Sequence, residues 1–127
     1  MSGLISTKGF WYMASPYGRH PLGTQHAYQV CVNETARLWR AGIVAFSPIV
    51  NTHPCSDHLP EWEHEDWMRL DYVMCDAACG AILLADESWE ISKGMQLEFD
   101  YFRNQFKPIF PMIPGEVPPE LLEYLSR

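Results

Sequence analysis

The feature that most constrains the fold is an alternation of strand-like and helix-like segments, repeated four times along the chain. Short apolar runs begin near Phe10, Ile43, Ala81 and Pro108, and each is followed by a longer segment with helical patterning. The run Ala81–Ala85 (AILLA) contains no polar residue, which is typical of a parallel strand buried on both faces. The alternation predicts an α/β fold of Rossmann-like (flavodoxin-like) type, a three-layer sandwich with a small parallel sheet of four to five strands.

The expected boundaries follow from turn residues and helix signals. We predict the following strands: Phe10–Ala14, Ile43–Val50, Ala81–Ala85 and Pro108–Met112. We predict helices over the ranges 25–41, 61–75, 92–105 and 118–125, with a loop over 51–60. In the third helix a stripe at helical spacing is expected to face the core: Met95, Phe99, Phe102 and Phe106. The length of 127 residues suits a single domain over residues 1–127.

Composition narrows the functional classes. The formal net charge is −7 and no basic cluster offsets it, so we expect no nucleic-acid polymer as a partner. No apolar stretch approaches the ~20 residues of a membrane span. The segment Met1–Gly9 lacks the pattern of a signal peptide, and the four cysteines suit small buried thiols, so we expect a cytoplasmic location.

In open parallel sheets, ligands bind beyond the carboxyl ends of the strands, at the point where the strand order reverses. Three segments of this chain follow predicted strands and are expected to meet there. They are Ser15–His20, Pro48–His53 and Asp86–Ser92. The candidate site is therefore expected among these loops.

The last of these segments leads into the most informative motif. Ser92 is placed as a helix N-cap, which leaves backbone N–H groups and the positive end of a helix dipole facing the cleft. Gly94 lies one turn before Glu98 on the same side, so no side chain at that position covers the carboxylate. The pattern favours an accessible, partly desolvated glutamate. The alternative is a solvated glutamate on an ordinary helix face.

The first segment suits an anion. Ser15, Gly18 and Arg19 follow the first strand and offer a hydroxyl, backbone amides and a guanidinium that pairs well with phosphate. The alternative is a simple turn. The segment does not match GxGxxG and the chain has no Walker loop, so a dinucleotide or other cofactor is not expected.

Two further groups are candidates for site residues: a set of histidines with one cysteine, and the acidic residues of the second helix. The sequence contains His53, Cys55, His58 and His64, but their spacing matches no structural zinc pattern, and we expect no metal. The acidic residues of the second helix are mostly a solvated face. Asp71 and Asp76 are five residues apart and do not share a face, so at most one of them points inward.

Three motifs in order carry a family resemblance. The chain contains YMASPY at 12–17, FSPIVNTHP at 46–54 and SWEISKGMQLE at 88–98. On these motifs it resembles the nucleoside 2-deoxyribosyltransferase superfamily. Within that superfamily it is similar to a small, largely uncharacterised family with the patterns YxASPY, FSPIV followed by His-Pro, and WxxSxGxxxE. The likeness spans roughly residues 10 to 113.

The resemblance implies cleavage of the N-glycosidic bond between a base and a ribose or deoxyribose. The glutamate matching Glu98 would attack the anomeric carbon, and an aspartate matching Asp71, with Asp66 as a rival, would position the sugar and handle the proton. A tyrosine matching Tyr12 or Tyr17 would orient the glutamate. These roles follow the logic of retaining glycosidases.

The resemblance also implies a nucleoside 5′-monophosphate as substrate. Superfamily members that act on 5′-monophosphates carry serine six residues before the glutamate, as at Ser92, whereas transferases on free nucleosides tend to carry aspartate there. Ser15, Gly18, Arg19 and Ser92 would then hold the phosphate. The predicted substrate-binding residues are completed by a second group: Tyr17, His53, Trp89 and Gly94. His53 is either a ligand contact or a loop anchor.

Two functional hypotheses remain. The first is an enzyme, hydrolase or transferase, that acts through Glu98. The second is a binding module that senses or sequesters a nucleotide in the same cleft. Both take a small molecule as partner. The abundance of tryptophan and tyrosine exceeds what one small core hides, which indicates base stacking or a subunit interface, and we expect a homo-oligomer.

Overall fold

A four-stranded parallel sheet organises the computed structural model, which describes residues 9–127. The strands are β1 (Trp11–Ala14), β2 (Ala45–Phe46), β3 (Gly80–Leu84) and β4 (Ile109–Met112). The helices are α1 (Thr24–Arg40), α2 (Pro48–Ser56), α3 (His64–Ala77), α4 (Lys93–Asn104) and α5 (Pro119–Leu125). A short 3₁₀ turn spans Trp89–Ile91. The prediction that no signal peptide is present concerns Met1–Gly9, and residues 1–8 of that segment lie outside the described residues.

The two faces of the sheet belong to different apolar clusters. Successive residues of a strand point to opposite faces. Accordingly, Trp11 and Met13 lie in a cluster with residues of α1 and α5, whereas Tyr12 and Ala14 lie in a cluster with residues of α3 and α4. The fold is therefore a three-layer α/β sandwich of Rossmann-like type, and the predicted fold class is confirmed.

The strand order places the site. The order is β2-β1-β3-β4, and each neighbouring pair is parallel. From β1 the chain moves outward on one side to β2 and then crosses back to β3 on the other side. The order therefore reverses between β1 and β3, and the loops that leave their carboxyl ends separate there.

The predicted strand over Ile43–Val50 and the predicted loop over 51–60 are wrong over residues 48–56, which form α2. Only Ala45–Phe46 pair with β1, and the chain enters α2 at Pro48. Ser47 is the N-cap, and its hydroxyl oxygen accepts the backbone N–H of Val50 at 3.2 Å. Proline at the first helical position loses no hydrogen bond, because that N–H has no intrahelical partner. Ser47 and Pro48 therefore begin a helix within the apolar run, whereas the prediction placed them near the end of a strand.

The predicted core stripe of α4 is partly wrong. Met95 and Phe102 are buried and Phe99 is partly buried against the same cluster, as expected. Phe106, however, is 94% exposed. It lies beyond the end of α4 in the left-handed region, with φ of 57°, so helical spacing no longer directs its side chain.

Several other predictions are settled within residues 9–127. Gly42 follows the end of α1 with a φ of 90°, and Ser92 is the N-cap of α4, as predicted. All four cysteines are free, but Cys55 is exposed, so it is not the buried thiol that we expected. Among the described residues, no helix has the length and apolar character needed to cross a membrane.

Gly80 of β3 packs closely against the ring of Trp11 in β1. A Cβ atom at Gly80 would lie 2.3 Å from the ring of Trp11 and 2.7 Å from the carbonyl oxygen of Pro108. We expect Gly80→Ala to lower the free energy of unfolding by about 1–3 kcal/mol or more, because strand and ring must shift. Gly18→Ala is the matched control, since a Cβ there meets nothing within 4 Å. Urea unfolding of both variants measures the difference, and equal stabilities would contradict the packing argument.

Candidate functional site

A cavity of about 470 Å³ lies beyond the carboxyl ends of β1 and β3. Most of the predicted site residues line it: Ser15, Tyr17, Gly18, Arg19, His53, Asp71, Ser92, Gly94 and Glu98. The structure therefore brings together residues that are up to 83 positions apart in sequence, from Ser15 to Glu98. The three segments expected at this edge of the sheet do meet, although the second of them is a helix.

Glu98 lies at the buried end of this cavity. It is only 5% exposed, and the hydroxyl of Tyr12 donates a hydrogen bond to its Oε2. Tyr12 is fully buried in β1, directly beneath the cavity. Of the two tyrosines that were candidates for orienting the glutamate, Tyr12 makes the contact, and Tyr17 is bonded elsewhere.

Gly94 leaves the approach to Glu98 open. The nearest atom to a Cβ at Gly94 would be Ser92 Oγ at 4.0 Å, and both residues line the cavity. The absence of a side chain one turn before Glu98 therefore exposes this part of the cavity. This is the arrangement that the spacing predicted.

Burial controls the ionisation of the two inner carboxyl groups. The pKa of Glu98 is raised to about 8, chiefly by desolvation; the Tyr12 hydrogen bond lowers it and the negative charge of Asp71 raises it. Desolvation raises the pKa of Asp71 to about 6. Between these values the pair holds one proton, and the higher pKa assigns it to Glu98.

Asp71 rather than Asp66 shares the cavity with Glu98. Asp71 lines the cavity, whereas the carboxylate of Asp66 accepts the backbone N–H of Glu63 at 2.9 Å as part of the capping box of α3. That bond holds the Asp66 side chain at the start of the helix. The choice between the two aspartates therefore favours Asp71.

Two cationic side chains also line the cavity. Arg19 lines it, and so does Lys93, which the sequence analysis missed. Ser92 Oγ accepts the backbone N–H of Met95 at 3.3 Å, so its own O–H remains able to donate to an anion. Ser15 Oγ lies 3.0 Å from Cys31 Sγ. In a chain with net charge −7, the cavity thus offers two cations and two hydroxyl groups to an anion, beside the carboxyl groups of Asp71 and Glu98.

His53 anchors the first loop. Its Nε2 lies 3.0 Å from Oε1 of Gln25. Because that oxygen can only accept, Nε2 donates to it, and Nδ1 of the neutral ring accepts a hydrogen bond from the Tyr17 hydroxyl at 2.7 Å. The ring also stacks on Tyr28 with centroids 4.5 Å apart. Both ring nitrogens are occupied, which favours the loop-anchor interpretation over direct contact with a ligand.

Trp89 is not among the residues that line the cavity. It lies in the 3₁₀ turn before α4 and is partly exposed. Instead, aromatic surface comes from Trp67 of α3, which the sequence analysis did not single out. The indole expected in the site is thus present, but from a different element.

Further lining residues come from α2 and the first half of α3. On α2 they follow helical spacing: Pro48, Ile49, Thr52, His53 and Ser56. On α3 three residues contribute: His64, Trp67 and Met68. The spacing on α2 was visible in the sequence, but it becomes a signal only when this segment is recognised as a helix.

A metal centre finds no support among the described residues. Within residues 9–127, no group of three or more histidine, cysteine, aspartate or glutamate side chains is arranged to hold a metal ion. The histidines that were candidate metal ligands do not form such a group, and His53 is hydrogen-bonded to Tyr17 and Gln25.

The fold and cavity together define a class: a Rossmann-like α/β domain with a candidate ligand site at its topological switch point. The chain belongs to the family described as Domain of unknown function (DUF1937), whose model matches residues 9–113. The match includes the three motifs and every residue that lines the cavity. No curated protein matches the chain. Function must therefore be argued from the site itself.

The raised pKa of Glu98 predicts a pH-dependent stability difference. The folded protein binds this proton more tightly than the unfolded chain, whose glutamate pKa is near 4.5, so the wild type loses stability as pH rises from about 4.5 to about 8. Glu98→Gln removes this loss. We expect the free energy of unfolding of the variant to be higher than that of the wild type by on the order of 4 kcal/mol at pH 9, and to differ little from it at pH 4.5.

Urea unfolding at both pH values measures this difference. The control is Glu90→Gln, the same substitution at an exposed position. A Glu98→Gln effect of the same size at both pH values would contradict a buried carboxyl with a raised pKa.

Proposed function

We propose that this protein cleaves the N-glycosidic bond of a nucleoside 5′-monophosphate, with Glu98 as nucleophile. The observation that carries the proposal is a buried glutamate, hydrogen-bonded by Tyr12, in a cavity that is also lined by Asp71 and by two cationic side chains. A glycosidase of the retaining type needs one carboxylate that attacks and a second acid nearby. The cavity contains both.

The polarity of the cavity supports an anionic substrate. The 5′-phosphate is placed against Ser15, Gly18, Arg19 and Ser92, and Lys93 adds a second cation. The sugar then lies over Gly94 and reaches Glu98. The base extends toward Trp67 and the apolar residues of α2 and α3, where an aromatic surface is available for stacking.

The proposed chemistry runs from the form of the carboxyl pair in which the single proton has moved to Asp71 and Glu98 is ionised. The Glu98 carboxylate attacks C1′ and the C1′–N bond breaks, so that its electron pair leaves with the base. Asp71 donates its proton to that base. Water, or the N–H of another base, then attacks C1′ while the ionised Asp71 accepts the proton it loses, and Glu98 leaves as a carboxylate. Tyr12 stabilises the ionised form of Glu98 by its hydrogen bond.

The resemblance to the nucleoside 2-deoxyribosyltransferase superfamily supports the same roles. The glutamate, the aspartate and the serine that the resemblance implies correspond to Glu98, Asp71 and Ser92, and all three line the cavity. The proposed partner is therefore a small nucleotide. The cytoplasmic location and the homo-oligomer stay predictions.

One observation favours a second candidate, a nucleotide-binding module without turnover. With a pKa of about 8, Glu98 is mostly protonated at pH 7, and a neutral carboxyl is a poor nucleophile. In that case the cavity binds a nucleotide and Glu98 acts as a hydrogen-bonding group. Turnover separates the two candidates.

The first test incubates the wild type with a panel of nucleosides and their 5′-monophosphates and measures free base by chromatography. We expect base release from one or more monophosphates, and we expect Glu98→Ala and Glu98→Gln to lower the rate by about 10³-fold or more, because the nucleophile is lost. The matched control is Glu90→Gln, which should retain the wild-type rate. If nothing turns over but a nucleotide raises the melting temperature of wild type and Glu98→Ala alike, the binding module is correct.

The second test concerns the phosphate preference. We expect Ser92→Asp to raise the KM for the 5′-monophosphate by roughly tenfold or more, because the new carboxylate repels the phosphate. Ser92→Asn is the control, since asparagine and aspartate are both good N-caps but only aspartate adds charge. The KM for the parent nucleoside should change little in either variant. An equal effect of the two substitutions would place the phosphate elsewhere.

A further inference from the structure

A buried hydrogen bond from His20 to the carboxylate of Asp86 joins two of the loops that form the cavity. His20 ends the segment after β1, and its side chain has no exposed surface. Its Nε2 lies 2.8 Å from Oδ2 of Asp86, which follows β3 and is 14% exposed. Neither residue lines the cavity, and the proposed chemistry uses neither.

The hydrogen bonds define the state of this histidine. The backbone N–H of Leu22 donates to Nδ1 of His20 at 3.1 Å, so Nδ1 carries a lone pair. The proton of the neutral ring is therefore on Nε2, which donates to the Asp86 carboxylate. The ring of His26 from α1 packs against His20 with centroids 5.1 Å apart. The contacts allow little freedom of rotation.

The backbone at His20 closes the turn that carries Arg19. The N–H of His20 donates to the carbonyl oxygen of Tyr17 at 3.2 Å, so Gly18 and Arg19 are the two central residues of a four-residue turn. At its other end, the Tyr17 hydroxyl donates to His53. Both ends of the turn are thus fastened through side chains, while its centre lines the cavity.

We propose that His20 and Asp86 are positioning residues that hold the Tyr17–His20 turn, and with it Arg19, in the geometry that receives the anionic end of the ligand. The pair acts through Arg19 and the amides of the turn, not by contact with the ligand. The inference rests on the proposed use of this turn for a phosphate. It adds a specific determinant of phosphate affinity that spans the loops after β1 and β3.

The test uses inorganic phosphate as the probe, with affinity measured by calorimetry, because this readout does not require turnover. We expect His20→Ala and Asp86→Ala to weaken phosphate binding by roughly tenfold, since a lost charge-assisted hydrogen bond frees the turn. His20→Gln should restore most of the affinity, because its amide nitrogen can donate to Asp86 in place of Nε2. Asp86→Ala, at a partly exposed position, keeps the test valid if His20→Ala does not fold.

A double-mutant cycle with Arg19→Gln separates positioning from general loss of structure. If the pair acts through Arg19, His20→Ala should weaken phosphate binding much less in the Arg19→Gln background than in the wild type. The KM for a turned-over monophosphate should rise in His20→Ala, with kcat largely unchanged. Additive effects, or equal losses for phosphate and for a neutral nucleoside, would overturn the inference.

The outcomes distinguish this inference from the proposed function. Phosphate binding that depends on His20 and Asp86, without turnover of any nucleotide, would support the positioning pair and reject the glycosidase. Turnover of a monophosphate, with unchanged phosphate affinity in the variants, would support the glycosidase and reject the positioning pair. A wild type that binds no phosphate would overturn the positioning role.

Discussion

The hydrogen bond from Tyr12 to Glu98 joins the middle of the sheet to the helix that forms one wall of the cavity. A carboxyl group buried to this extent has lost most of its hydration, and without a donor it would destabilise the fold by several kcal/mol. Tyr12 occupies a position of β1 that points toward α3 and α4, so the donor is part of the core itself. The position of α4 and the chemistry of the site therefore depend on the same contact.

Charges of both signs line the cavity. The carboxyl groups of Asp71 and Glu98 both line it, and the negative charge of Asp71 raises the pKa of Glu98. Arg19 and Lys93 supply the opposite sign. For the proposed ligand, two cations in the cavity favour a small anion, whereas the net charge of −7 disfavours an extended polyanion. This combination is the physical basis for a nucleotide rather than a nucleic acid as the proposed ligand.

The loops around the cavity are ordered by polar contacts between elements that are distant in sequence. Tyr17 is fastened to His53 of α2, and His20 is fastened to Asp86 after β3. The same turn therefore receives support from both sides of the switch point. A site whose donors are held before the ligand arrives loses less conformational entropy on binding.

Local patterns in the chain were sufficient for the α/β class, the parallel sheet, the Ser92 cap and the placement of Glu98 one turn after Gly94. Each of these depends on residues within a few positions of one another, where periodicity and capping preferences act directly. The start of α2 also had a local signal, Ser47-Pro48, but an apolar run of that length is compatible with either a strand or a helix.

Tertiary structure alone decided the remaining features of the site. Tyr12 meets Glu98 across 86 positions, His20 meets Asp86 across 66, and Tyr17 meets His53 across 36. No spacing rule predicts which tyrosine orients the glutamate, because that depends on which face of β1 packs against α4. The exclusion of Trp89 from the cavity and the exposure of Phe106 have the same origin. The direction of a side chain near the end of a helix depends on the packing of the neighbouring elements, and helical periodicity no longer determines it.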